Sequence, residues 1–247
     1  MSKFIDRLKQ VSQPPTLSIG FRPKKAESTR PKIQLVVSLH EYSQSLVSKL
    51  AAADAIVVTE AKPLNSDTLW GIRLGKGMVE EVDKVIETGA DFAILSASGT
   101  VLPSDKKIGK ILQINSSVTD ILLRTVNDLP IEAVLVSEES EGGVITWQKL
   151  MLCKRFTSML TKPVLVPIPL TVTGTELQLI WEMGVTGVMV DIKSTSDADS
   201  LDALRQQIDG LQYPSPKKRE KLTPVLPQTV AKTEKPEEPD EDDDDDD

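Results

Sequence analysis

The 247-residue chain predicts an α/β fold, a (β/α)₈ barrel with an N-terminal helical extension and a disordered acidic tail. Three observations carry this reading. Short β-branched runs alternate with stretches of helical periodicity from about residue 15 to residue 212. Most of these runs are nearly continuous apolar segments, as expected for parallel strands buried on both faces. The units recur every 20–30 residues or so and number close to eight, with no Gly-rich first turn of the kind that opens a doubly wound sheet.

Residues 1–32 form the extension. The first dozen place Phe4, Ile5, Leu8 and Val11 on one side of a helix, which suits a cap over the closed end of a barrel. Nine strand-like runs compete for eight places: Leu17–Phe21, Ile33–Leu39, Ala55–Thr59, Leu69–Leu74, Phe92–Ala97, Ile111–Asn115, Ala133–Ser137, Val164–Ile168 and Gly187–Ile192. Either Leu17–Phe21 belongs to the extension or Leu69–Leu74 is an extra strand after a missing helix; the first assignment is preferred, makes Ile33–Leu39 the first strand and sets the barrel at residues 33–213.

Helices are expected between the strands at Tyr42–Ala53, Met78–Thr88, Thr119–Leu129, Trp147–Leu160, Glu176–Met183 and Asp197–Leu211. Their buried stripes are Leu46/Leu50/Ala53, Val79/Val82/Val85/Ile86, Leu122/Leu123/Val126 and Leu201/Leu204/Ile208. Gly89 and Gly184 follow helix ends directly before strands, where the left-handed conformation turns the chain. After the seventh strand, Thr173 is placed to cap a helix opening at Gly174.

Residues 214–247 are a different polymer. They carry 12 acidic and 6 basic residues, against 25 and 23 in residues 1–213, so the net charge of −8 lies mostly in the tail. Six prolines and few large apolar residues leave little to bury against the entropy of ordering, so disorder is expected. The tail reads as a solubilising segment or as a docking arm for a basic protein partner. The near-neutral barrel lacks the basic face that nucleic-acid binding requires.

Composition narrows the chemistry. One Cys and one His exclude a disulfide framework, a Cys-rich zinc site and a HExxH motif, and favour a reducing, cytoplasmic setting. No apolar run approaches the length of a membrane span. Cys153, among Leu150, Met151 and Leu152, reads as packing.

In barrels of this class the active site gathers at the C-terminal ends of the strands, so the segmentation selects its own candidates. Strand one ends at His40, strand two at Glu60 with Lys62 beyond, and strand three at Arg73. Strand five ends at Asn115, strand six at Ser137 and Glu138, and strand eight at Asp191 and Lys193. Lys62, Glu60, Glu138 and Lys193 are the candidates for proton transfer or Schiff-base chemistry. Arg73, His40, Asn115 and Asp191 are the candidates for binding substrate. Arg73 stands out, because a charge in an otherwise apolar strand needs a carboxylate or a ligand anion as partner. Converging carboxylates there would also suit a divalent metal.

The segment from Leu69-Trp70-Gly71-Ile72-Arg73-Leu74 through Thr88-Gly89-Ala90-Asp91-Phe92-Ala93-Ile94-Leu95 resembles the strand–helix–strand units of aldolase-type TIM barrels. A weaker echo runs from Glu182 to Asp191. The resemblance implies a barrel with its site at the strand C-terminal mouth. It does not extend to the phosphate or flavin site of such barrels, whose Gly-rich turn after the last strand is replaced by Asp191-Ile192-Lys193-Ser194-Thr195.

Two functions are expected on this basis. One is a lyase- or aldolase-like enzyme binding a small anionic or carbonyl metabolite at the mouth. The other is a barrel without catalysis that serves as an interaction scaffold through its tail and N-terminal helix. The first would set Arg73 and carboxylates around one cavity; the second would fill the mouth with side chains such as Leu170 and Ile192.

Overall fold

The computed structural model describes residues 2–13, 31–40, 44–60, 68–75, 82–99, 108–137 and 144–213. Leu17–Phe21, Lys62, Glu138 and the acidic tail therefore lie outside the described residues. The helix α1 (Lys3–Ser12) precedes eight strands: β1 (Gln34–Leu39), β2 (Ala55–Val58), β3 (Leu69–Leu74), β4 (Phe92–Ser96), β5 (Gly109–Asn115), β6 (Ala133–Ser137), β7 (Val164–Pro167) and β8 (Gly187–Ile192). All are parallel, each pairs with its sequence neighbour, and β1 closes on β8. The first strand is thus the one expected.

Outside the barrel run α2 (Gln44–Val47), α3 (Val82–Glu87), α4 (Asp120–Thr125), a 3₁₀ turn (Val126–Asp128), α5 (Trp147–Met159), α6 (Gly174–Glu182), α7 (Thr195–Asp199) and α8 (Leu201–Gly210). The expected last helix is two, joined at Ser200. The capping chemistry follows the sequence closely. Thr173 and Glu176 form a reciprocal capping box on α6, and Ser194 and Asp197 another on α7, each satisfying orphan N–H groups of a first turn. Gly89 (φ 88°) and Gly184 (φ 98°) take the left-handed conformation at their helix ends.

Strand periodicity sorts the core into two layers. One set of alternate residues, including Val36, Val57, Ile94, Ile111 and Leu165, packs inside the barrel with Phe4, Ile5 and Leu8 of α1. The other set, including Leu35, Val37, Ile56 and Val188, packs outward under the helices. Leu123 and Val126 join this outer layer as expected, whereas Leu122 is 57% exposed. Leu122 stands about 100° around α4 from Leu123 and so falls off the narrow stripe that Leu123 and Val126 bury. Cys153 is buried in the outer layer.

α1 is the floor of the barrel. The Asp91 carboxylate, just ahead of β4, accepts hydrogen bonds from the Ser2 hydroxyl (2.7 Å) and from the Lys3 and Phe4 N–H groups (2.9 and 2.8 Å). Ser2 in turn accepts from Ile5 N–H. Phe4 meets the Phe92 ring at 4.7 Å between centroids. The first residues of two strands make room for the helix: a Cβ on Gly109 would stand 2.7 Å from Ser2, and one on Gly187 would stand 3.1 Å from Leu8. All these contacts lie at the N-terminal ends of strands, so the opposite end remains as the mouth.

Candidate functional site

Strand parity decides which strand-end residues enter the mouth. On β3, Leu69 packs with the inner layer while Trp70, Ile72 and Leu74 pack outward, so Arg73 points into the barrel. On β5 the inner face runs Ile111, Gln113, Asn115; on β8 it runs Met189, Asp191. The same alternation brings in Ser38 of β1, Ser96 of β4 and Ser137 of β6. The inner wall therefore changes from Ile, Val and Leu in its middle to Ser, Gln, Asn, Asp and Arg at its open end. Ile192 faces outward and is buried under the helices, so it does not fill the mouth.

Arg73 occupies the centre of this polar ring. Its guanidinium donates to the Gln113 side-chain oxygen at 3.4 Å, beyond the usual N–H···O length, and to the Met189 sulfur, a weak acceptor, at 3.7 Å. Among the described residues no carboxylate lies within ion-pair distance of it. Burial lowers its pKa from the ordinary arginine value, and the charge of Asp191 offsets part of that shift. The guanidinium remains protonated at neutral pH. The result is a half-buried cation whose partners among the described residues are Gln113 and Met189.

Asp191 stands between Arg73 and His40. Its Oδ1 is 3.8 Å from His40 Nε2, with the two side chains 49% and 58% exposed. The exposed end of this arrangement is thus an imidazole–carboxylate pair at solvent. The cap of α7 is Ser194 with Asp197, which leaves Asp191 free of that duty. The backbone carbonyl of His40 accepts from the Thr59 hydroxyl at 3.3 Å, tying the ends of β1 and β2 together.

The remaining candidates separate. Asn115 lies on the inner face of β5, but its side-chain oxygen accepts from Ser117 N–H at 2.9 Å and so closes the turn after the strand. Glu60 is exposed beyond the end of β2, and Lys193 is exposed after β8. The Lys193 N–H donates to the capping carboxylate of Asp197 at 3.0 Å. The structure brings Arg73, Asp191 and His40 together. Gln113 and Met189, the two direct partners of Arg73, were not among the sequence candidates; the i, i+2 spacing of Ile111, Gln113 and Asn115 is the signal that finds the first of them.

Among the described residues no three His, Cys, Asp or Glu side chains converge as a metal site. An open cleft of about 420 Å³ lies at the closed end, lined by Lys3, Arg7, Ala51, Ala53, Asp54, Thr68 and Leu69. Its carboxylate is committed: Asp54 accepts from Leu35 N–H and pairs with Arg205 at 2.8 Å. The candidate residues Arg73, Asp191 and His40 lie at the other end of the barrel from this cleft. Among the described residues no helix is long and apolar enough to cross a membrane.

No family model and no curated protein matches the chain. Solved structures do. A variant of the tryptophan synthase alpha-subunit from the hyperthermophile Pyrococcus furiosus is 13% identical, with a TM-score of 0.57 over 73% of this chain and 99% of its own. A second variant of that subunit gives 13% and 0.56 over the same shares. The tryptophan synthase complex from the same organism gives 14% and 0.55, again over 73% and 99%. At this level of identity the likeness is one of fold, and the chain is a TIM barrel.

Proposed function

We propose that this chain binds a small anionic metabolite at the barrel mouth through Arg73, and that the acid–base groups around it carry lyase-like proton transfer. One observation carries the reading: a charged guanidinium sits half-buried among polar side chains of which Asp191 alone is a carboxylate, and among the described residues no carboxylate is within ion-pair distance of it. A charge withdrawn from water needs compensation, and a planar, five-donor guanidinium is suited to a carboxylate or phosphate. The anion would take the place that Gln113 and Met189 only partly fill.

Asp191 holds a long-range attraction to Arg73 and stands beside His40, so a bound anion has an imidazole–carboxylate pair a few ångströms away. Such a pair can hold a proton and pass it to or from a carbon next to a carbonyl. Glu60, Lys62, Glu138 and Lys193 are further acid–base candidates on the loops leaving the same strand ends. Barrel enzymes place catalysis at this face, which supports the reading without choosing a substrate.

The test is native mass spectrometry and thermal-shift screening of the full chain against a panel of small carboxylates and phosphates, with Arg73→Met in parallel. The expected result is a bound or stabilising anion on the native chain, and affinity reduced by about 10- to 100-fold in the variant, as fits the loss of a charge-assisted hydrogen bond. Binding that survives Arg73→Met unchanged would refute the assignment of Arg73.

A further inference from the structure

The six large apolar side chains that stand exposed among the described residues all fall between Ile121 and Met151. They are Ile121 (79%), Leu122 (57%), Leu129 (43%), Val144 (68%), Trp147 (79%) and Met151 (66%). Scattered exposed apolar residues are ordinary on a soluble surface. Six confined to one sector are not.

Five of the six, all but Leu129, belong to α4 and to the start of α5 with the residues just ahead of it. α4 and α5 are neighbours on the outside of the barrel. Arg155 of α5 pairs with Asp120 of α4 at 2.6 Å and donates to the carbonyls of Ser116 and Val118. Trp147, Met151 and Arg155 follow one another at four-residue spacing, so they lie on one stripe of α5. The stripe that reaches α4 through Arg155 thus presents Met151 and Trp147 in the turns above. Ile121 and Leu122 directly follow Asp120, and Val144 lies just ahead of α5. The helix is also anchored: Thr146 caps it by accepting from Lys149 N–H, and Leu150, Cys153 and Phe156 are buried beneath it.

We propose that this face of α4 and α5 is a two-fold interface between two copies of this chain. The exposed parts of Ile121, Leu122, Val144, Trp147 and Met151 sum to roughly 600–800 Å², above the largest apolar patch of a typical monomer and close to the 800 Å² or so that each partner contributes to a stable interface. Trp and Met are enriched at the cores of such interfaces, and a central Trp is the side chain most often found to dominate their affinity. A two-fold contact sets the same patch against itself, so apolar area meets apolar area without a second surface.

The experiment is sedimentation equilibrium of the full chain from about 1 to about 200 µM, a range that brackets standard-sized interfaces of ordinary affinity. The native chain is expected to show a concentration-dependent mass reaching twice 27.0 kDa. Trp147→Lys, and separately Ile121→Lys on the neighbouring helix, should each weaken the dimer by at least about 30-fold. Both side chains are exposed, so unchanged thermal unfolding of the dilute variants checks that the fold is retained. A native chain that stays at 27.0 kDa throughout, including one that remains monomeric and instead sediments with phospholipid vesicles, overturns the proposal. A dimer indifferent to both substitutions overturns it equally.

Discussion

Asp91→Ala is the most direct probe of how the N-terminal helix is held in the barrel floor. The Asp91 carboxylate accepts three hydrogen bonds from the first turn of α1, at 2.7, 2.9 and 2.8 Å. A hydrogen bond to a charged group contributes about 1.5–3 kcal/mol when shielded. Asp91 is half-buried, so solvent screening puts each of these at or below the low end. Loss of a single helix cap, typically about 1 kcal/mol, sets the floor. About 2–3 kcal/mol for the whole anchor is then expected, a fall in Tm of about 5–10 °C for a domain of this size. Asp91→Asn, which keeps an acceptor oxygen, should lose less than half as much. Circular dichroism melts supply the stability, and hydrogen exchange of the Lys3–Ser12 amides shows where it is lost: exchange in α1 should accelerate well before that in β1 or β8. A variant melting within about 1 °C of the native chain, with α1 amides unchanged, would show that burial of Phe4, Ile5 and Leu8 alone holds the helix.

Other perturbations test the rest of the structure. Arg73→Met should raise the stability of the ligand-free chain by up to about 1 kcal/mol, because it replaces an under-partnered charge with an apolar side chain of similar length; equilibrium unfolding in urea reads this, and a clear loss would mean that Gln113 and Met189 compensate the guanidinium better than their distances suggest. Glu176 has its carboxyl pKa held below the ordinary glutamate range by the Thr173 N–H and hydroxyl. Its contribution is therefore fully present above the ordinary glutamate pKa and disappears as pH falls through the lowered folded value. Glu176→Gln should be less stable than the native chain near neutral pH, with the gap closing in acid, and urea midpoints across the acid range check the sign. Gly71→Ala should cost about 3 kcal/mol, since its Cβ would stand 2.5 Å from the Phe92 ring and 2.6 Å from the Phe92 carbonyl. Gly89→Ala has open space around its Cβ but a φ of 88°, so only the conformational cost of about 1 kcal/mol applies; the two melts should rank in that order.

The fold was legible because its signals are local. Continuous apolar runs marked the strands, Gly89 and Gly184 marked two helix-to-strand joints, and Thr173 announced the start of α6. The amphipathic spacing of Phe4, Ile5 and Leu8 identified a barrel cap without reference to any distant residue. What the sequence concealed is what depends on long-range geometry. Asp91 reads as part of a common Gly-Ala-Asp joint, and nothing nearby says that its carboxylate receives the start of a helix 87 to 89 residues earlier. Arg73 was legible as a charge in an apolar strand, but its partners Gln113 and Met189 come from strands on other sides of the barrel, and only the closed sheet brings them together. Leu122 was assigned to the core beside Leu123, but adjacent helix residues stand about 100° apart, and the six-residue α4 buries only one narrow stripe. Glu60 and Lys193 show a further limit, since a strand-end position alone does not say whether a side chain turns inward.

The two ends of the barrel explain why the charge at Arg73 is tolerated. At the closed end two carboxylates are answered within the chain: Asp91 by the α1 N-terminus, Asp54 by Leu35 N–H and Arg205. The middle of the interior is filled by α1 and the inner apolar layer, so no ligand enters from below. At the open end the same strands place hydroxyls, amides and one carboxylate around a guanidinium and leave it without an ion pair among the described residues. A sequence under selection for stability alone would put Met or Leu at residue 73, in line with the apolar layers beneath. That an arginine stands there, in a strand whose other inward residues are Leu69 and Gly71, is what an anion site at the mouth requires and what a filled, purely structural barrel does not. The stability expected to return in Arg73→Met and the binding expected to vanish with it are therefore two readings of one arrangement, and observing the first without the second would separate a strained barrel from a functional one.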